Sequence, residues 1–171
     1  MNVVVRPALL SEVADVQRIG VEADERFVEV GHPELADGST MPTEAAEKAI
    51  ASGRLLVAET VEGRVVGWSY VGRIGGELCL GQISVALAYG RCGVGTALLR
   101  AIIEGAKAAG EPSIVLNTQA DVPWNLPWYE RHGFRVIERE AWTPELERIA
   151  VEQSASGLDW ANRVHMRLAL R

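Results

Sequence analysis

The stretch that most constrains the fold runs from residue 77 to residue 118: ELCLGQISVAL, then AYGRCGVGTALLRAIIEGAKAAGEP, then SIVLNT. Val94, Ala97, Leu98, Ala101, Ile102 and Gly105 recur at helical spacing on one face, and Gly110 and Pro112 supply the stop. The flanking runs have the length and apolar content of buried strands. A strand, a long helix and a second strand make a crossover, so the two strands should be parallel.

The rest of the chain builds around that unit. NVVVRP reads as a strand stopped by Pro7. Ser11 is then the expected N-cap of a helix with Val13, Val16, Ile19, Ala23 and Phe27 on one face. Its other face, Glu12, Asp15, Arg18, Glu22, Glu25 and Glu29, reads as solvated surface. TEAAEKAIAS predicts a short helix ended by Gly53. RLLVAETVEGRVVGWSYVGRIGGELCLGQISVAL predicts an antiparallel meander turning at Gly63 and at Gly75-Gly76. After the crossover come FRVIEREAW as a strand, TPELERIAVEQSAS as a helix from Thr143 or Pro144, and RVHMRLAL as a last strand. The expected fold is a mixed α/β sheet with helices on both faces, in one domain over residues 1–171 without repeat or linker.

Charge and composition narrow the function classes. A net charge of −6 over 171 residues argues against nucleic acid, whose affinity comes mostly from Lys and Arg. No apolar run nears the roughly 18 residues a membrane helix needs, so no membrane partner is expected. With two cysteines, Cys79 and Cys92, and no leader-like pattern, a reducing cytoplasm is the expected compartment.

Two segments carry chemistry. GRCGVGT, residues 90–96, joins a strand to the best helix. Glycines there let backbone approach a ligand, and the amides at the helix start suit an anion such as a pyrophosphate. The same glycines would also serve close packing of helix on strand. A dinucleotide fingerprint would need a third glycine and an acid about 20 positions on, where Thr96, Ala97 and Leu98 follow Gly95, and a nucleotide loop would need Gly-Lys-Ser/Thr. Neither NAD nor ATP fits. The second segment, PWNLPWYERHGF at 123–134, sets one of three tyrosines, Tyr129, in a clipped helix among Trp124, Pro127 and Trp128. Pro127 belongs in a first turn, which makes Asn125 the N-cap and Gly133 the left-handed C-terminal cap.

Taken together, GVGTALL and YERHGF one crossover apart resemble the pyrophosphate turn and the Tyr-x-x-x-Gly-Phe signature of the GCN5-related N-acetyltransferase (GNAT) superfamily. The resemblance covers nearly the whole chain. It implies a mixed, mostly antiparallel sheet of six to seven strands, splayed in a V between the fourth and fifth, and acetyl-CoA as cosubstrate without a metal. The implied reaction moves the acetyl group directly to a primary amine, a small molecule or a peptide N-terminus, without an acyl-enzyme. The alternative is an inactive acyl-CoA-binding or interaction domain on the same fold, and a homodimer is common in the family.

By the same resemblance, Gly90, Arg91, Cys92, Gly93, Val94, Gly95 and Thr96 hold the pyrophosphate, and main-chain groups of Ile83 and Val85 hold the pantetheine arm. A backbone N–H near Val85 would stabilise the oxyanion. Asn125 is either a coenzyme contact or a cap, and Tyr129 is the acid that protonates the departing thiolate. Gly90 departs from the family's Gln or Arg at that position, with Arg91 one place later. Gln82 stands where many relatives carry a catalytic glutamate, which leaves Glu29, His32, Glu77, Asp121 or a water chain as the base. The segment from Glu22 to Asp37 corresponds to the relatives' acceptor wall, and the acceptor's identity stays open.

Overall fold

The computed structural model describes residues 2–170. Among them the elements follow in the order β1 (Val3–Pro7), α1 (Val13–Asp24), α2 (Thr43–Ala51), β2 (Leu55–Thr60), β3 (Val65–Ile74), β4 (Glu77–Val85) and α3 (Val94–Ala108). The chain continues with β5 (Ser113–Gln119), α4 (Leu126–Arg131), β6 (Arg135–Val136), α5 (Pro144–Ala155) and β7 (Arg163–Ala169). One seven-stranded sheet holds them in the order β1-β2-β3-β4-β5-β7-β6. β1 with β2, β2 with β3, β5 with β7 and β6 with β7 are antiparallel, whereas β4 and β5, joined by the crossover, are parallel. Their register comprises Leu78↔Ile114 and Cys79↔Val115.

Contacts group the chain into two compact units, the first ending at Val71 and resuming over Gly81–Gly105, the second made of Gly72–Leu80 and the chain from Ala106. In the first, alternate residues of β2 serve opposite faces of the sheet. Leu55 and Val57 join Val16, Ile19, Ala49 and Trp68 under α1 and α2, while Ala58 joins Val66, Val94 and Leu98 under α3. Gly67 lets α3 lie that close, since a Cβ there would fall 2.9 Å from Val94 Cγ1, 3.1 Å from the Ser84 carbonyl oxygen and 3.3 Å from Leu98 Cδ1. Gly67→Ala should therefore destabilise the protein by about 1–3 kcal/mol through overpacking, read as a lower denaturant midpoint at unchanged slope. In the second unit, Ile74, Cys79, Val115, Ile137 and Leu146 form the core between sheet and α5. Thr143 caps α5, its hydroxyl accepting from the Leu146 amide at 3.3 Å.

Three local expectations are corrected. Ser11 is not a cap: it lies in a 3-10 turn, Leu10–Glu12, where the buried Glu12 carboxylate accepts the Leu9 amide at 2.8 Å and is gripped by Arg6 at 2.6 and 3.0 Å. Phe27 lies beyond α1, in a 3-10 segment over Glu25–Val30. FRVIEREAW pairs as a strand only over Arg135–Val136, because Ile137 turns into the α5 core and its carbonyl accepts Trp142 Nε1 at 2.9 Å.

Candidate functional site

The glycine turn lies in the first unit. β4 ends at Val85, Leu87–Tyr89 form a 3-10 turn, and residues 90–93 lead into α3. Gly90 donates to the Leu87 carbonyl at 3.1 Å and Cys92 to the Tyr89 carbonyl at 3.4 Å. The amides of Arg91, Gly93, Val94, Gly95 and Thr96 have no acceptor among the described residues. Five unpaired donors at the positive end of a 15-residue helix, whose first turn holds no acid, form a cradle for an anion.

The backbone of this turn is specialised. Arg91 has φ of 60°, and among the described residues it is the sole non-glycine with a positive value. Such a conformation costs an L-residue on the order of 1 kcal/mol, and it belongs to the loop that bends its amides outward. Gly90, by contrast, has φ of −59° and ψ of 143°, open to any residue. The glycine thus stands one position before the place where the backbone needs it, and the Gly90 hydrogen bond keeps the turn closed. Cys92 is half-buried, with its Sγ 3.4 Å from the Gly90 carbonyl. Ile83 and Val85 pack their side chains against Val66, Val94 and Leu98, so that β4 and the start of α3 share one core. Glu22, expected as solvated surface, instead accepts the Leu87 amide at 2.7 Å and ties α1 to the turn's approach.

Tyr129 lies in the second unit, on α4. Asn125 holds the N-cap position but caps with no side-chain bond; its carbonyl accepts the amides of Trp128 and Tyr129, both at 3.0 Å. Gly133, φ of 92°, closes the helix as expected. The Tyr129 ring is gripped edge-on by Trp128 and Phe134, with centroids 4.9 and 5.6 Å away. Its hydroxyl makes no hydrogen bond to a described residue, and burial pushes the phenol well above its usual value. A hydroxyl tied into the core would have a partner. Trp128 packs, as its neighbours Tyr129 and His132 attest.

The candidate bases separate. Glu77 is committed to structure: it accepts Ser113 Oγ and pairs with Arg167 at 2.7 and 3.0 Å. His32 is buried rather than a surface imidazole, its Nδ1 2.9 Å from Glu34. Glu29 and Asp121 are exposed, and Gln82 donates to Ser84 Oγ at 3.0 Å. Among the described residues no group of three or more His, Cys, Asp or Glu is placed to hold a metal, and no helix is long and apolar enough to cross a membrane.

Sequence patterning gave no sign of Asp24. This half-buried carboxyl at the end of α1 is pushed up to about 6, first by burial and then by the charge of Asp37. A raised folded pKa means that its stability contribution is complete below about pH 4 and is lost as pH rises through 6. Asp24→Asn should thus stabilise the protein at pH 7.5 by on the order of 1 kcal/mol after allowance for solvent screening, read as a higher melting midpoint, with the gain vanishing below about pH 4. Thermal melts of both proteins from pH 4 to 8 check this.

Comparison with known proteins bears on both halves. Residues 51–136 match the family model described as an acetyltransferase (GNAT) domain. Among solved structures, PaiA N-acetyltransferase from Thermoplasma acidophilum in complex with coenzyme A is 14% identical, covers 99% of both chains and has a TM-score of 0.70. YncA, a putative acetyltransferase from Salmonella typhimurium solved with acetyl-CoA, is 18% identical over 100% of this chain and 95% of its own, also at 0.70. A GNAT-family acetyltransferase from Listeria monocytogenes reaches 0.71 at 14% identity, over 98% of this chain and 95% of its own.

Proposed function

The chain belongs to the GNAT acetyltransferase family, and from that premise we propose that it is an N-acetyltransferase moving the acetyl group of acetyl-CoA directly onto a primary amine. The observation that carries the reading is the run of five unpaired amides at Arg91 and Gly93 to Thr96. A pyrophosphate is the part of acetyl-CoA such a cradle fits, because backbone N–H groups and a helix terminus bind anions without particular side chains. That YncA was solved with acetyl-CoA and PaiA with coenzyme A supports the same choice.

Each residue then has a task. The turn holds the pyrophosphate, and main-chain groups of Ile83 and Val85 align the pantetheine arm. An amide near Val85 stabilises negative charge on the thioester oxygen. Tyr129 Oη delivers its proton to the thiolate that leaves, which suits a phenol whose burial raises it above its usual value and keeps it a proton donor at neutral pH. With Glu77 held by Arg167 and Gln82 unable to take up a proton, the amine attacks as the free base, and the proton its nitrogen sheds as the amide forms passes through water to the Tyr129 phenolate, restoring the phenol. The test is release of free coenzyme A thiol on addition of amines. Amine-dependent release supports the reading, and acetyl-CoA binding without turnover of any amine would favour an acyl-CoA-binding domain on the same fold.

A further inference from the structure

The turn that leads into the cradle has a weak start. Past the end of β4, the Ala86 amide still donates to the Val66 carbonyl on β3, at 3.0 Å. The 3-10 turn Leu87–Tyr89 follows, and Ala86 at its N-cap position has no side chain that could accept an amide. The backbone bonds from there are local: Tyr89 donates to Ala86 at 2.9 Å, Gly90 to Leu87 at 3.1 Å and Cys92 to Tyr89 at 3.4 Å. A turn of three residues closed by such bonds does not set its own direction.

Glu22 supplies what Ala86 lacks. Its Oε1 accepts the Leu87 amide at 2.7 Å across 65 residues of sequence, so a carboxylate on α1 caps the turn from another element. Its Oε2 takes Arg18 Nη1 at 3.4 Å, one helical turn earlier, and Arg18 is itself paired with Asp15 at 2.9 Å. α1 is a fixed base for this contact, since Val16 and Ile19 are fully buried in the core shared with Trp68. At the far end of the turn, Tyr89 packs against that core and against the one under α3. The charge of Glu22 works the other way: a carboxylate on the approach to an anion site repels the anion, screened here because 29% of the side chain is exposed. Glu22 therefore favours an anion only through the bond it makes.

We propose that Glu22 is a positioning residue for the coenzyme: by holding the Leu87 amide it sets the path of the turn, and with it the direction of the amides at Arg91 and Gly93 to Thr96. The inference rests on the coenzyme reading of those amides, and on the Glu22–Leu87 bond alone for the anchor. The gain is preorganisation, because a loop already in its binding conformation loses less freedom when the ligand arrives.

The test compares Glu22→Ala, which removes the acceptor, with Glu22→Gln, which keeps an acceptor oxygen and removes the charge. Acetyl-CoA affinity by calorimetry, kcat and KM from thiol release, and the Leu87 amide exchange rate by NMR in the free protein are read for each. Glu22→Ala should weaken acetyl-CoA binding and raise KM by about tenfold, leave kcat within about threefold, and speed Leu87 exchange by about tenfold or more. Glu22→Gln should keep all of these within about threefold of the unchanged protein. Loss of the charge alone would tighten binding in both variants, so weaker binding in Glu22→Ala with rescue in Glu22→Gln reports the anchor. Binding that is unchanged or tighter in Glu22→Ala, a loss equal in both variants, or a fall in kcat at unchanged KM overturns the proposal. Should the unchanged protein bind no acetyl-CoA, the coenzyme reading fails and Leu87 exchange decides the anchor: faster exchange in Glu22→Ala that Glu22→Gln restores sustains it, and equal exchange in all three proteins sinks it.

Discussion

Tyr129→Phe should lower kcat by about a hundredfold while leaving the melting midpoint and acetyl-CoA affinity close to those of the unchanged protein. A positioned general acid contributes on the order of a hundredfold or more, equivalent to about 2.7 kcal/mol of barrier. The stability side follows from the hydroxyl's having no hydrogen bond to a described residue: its removal breaks none of these, and the ring keeps its edge contacts with Trp128 and Phe134. The pH profile offers a second readout. Because burial moves the phenol upward, the rate should rise with pH as the amine deprotonates, with no falling limb from Tyr129 up to about pH 10. Steady-state kinetics with melting controls check both; a Phe variant with unchanged kcat would remove Tyr129 from the chemistry.

The second large effect concerns the cradle. Thr96→Asp should weaken acetyl-CoA binding by roughly tenfold to a hundredfold, because it sets a carboxylate among the amides proposed to hold two phosphates. The fold should tolerate it, since an acid in the first turn of α3, which has none, is favourable to the helix dipole. Thr96→Asn, of similar shape but uncharged, should bind within about threefold of the unchanged protein. Calorimetry on the three proteins separates charge from shape.

What the sequence disclosed was what local chemistry decides. The crossover, the glycine turns at 63 and 75–76, the Thr143 cap and the Gly133 stop each rest on neighbouring residues, and the structure has all of them. The misses share a different cause. Glu12, not Ser11, stands at the N-cap position of α1, and its carboxylate is turned back to Arg6 on β1 and to the Leu9 amide, while Glu77 is occupied by a partner 90 residues away. FRVIEREAW has strand composition, yet burial of Ile137 under α5 bends it after two paired residues. Asp24 has no local motif. At the candidate site, the sequence located the loop, while the strain at Arg91 and the ordinary backbone of Gly90 required coordinates.

The most direct test of the central claim, that the amides of Arg91 and Gly93 to Thr96 grip the pyrophosphate of acetyl-CoA, is the melting midpoint with acetyl-CoA and with S-acetylpantetheine, which carries the same thioester but no pyrophosphate. A ligand that binds only the folded state must raise the midpoint. The account predicts a clear rise with acetyl-CoA and little with the fragment. No rise with acetyl-CoA, or an equal rise with both, would contradict it.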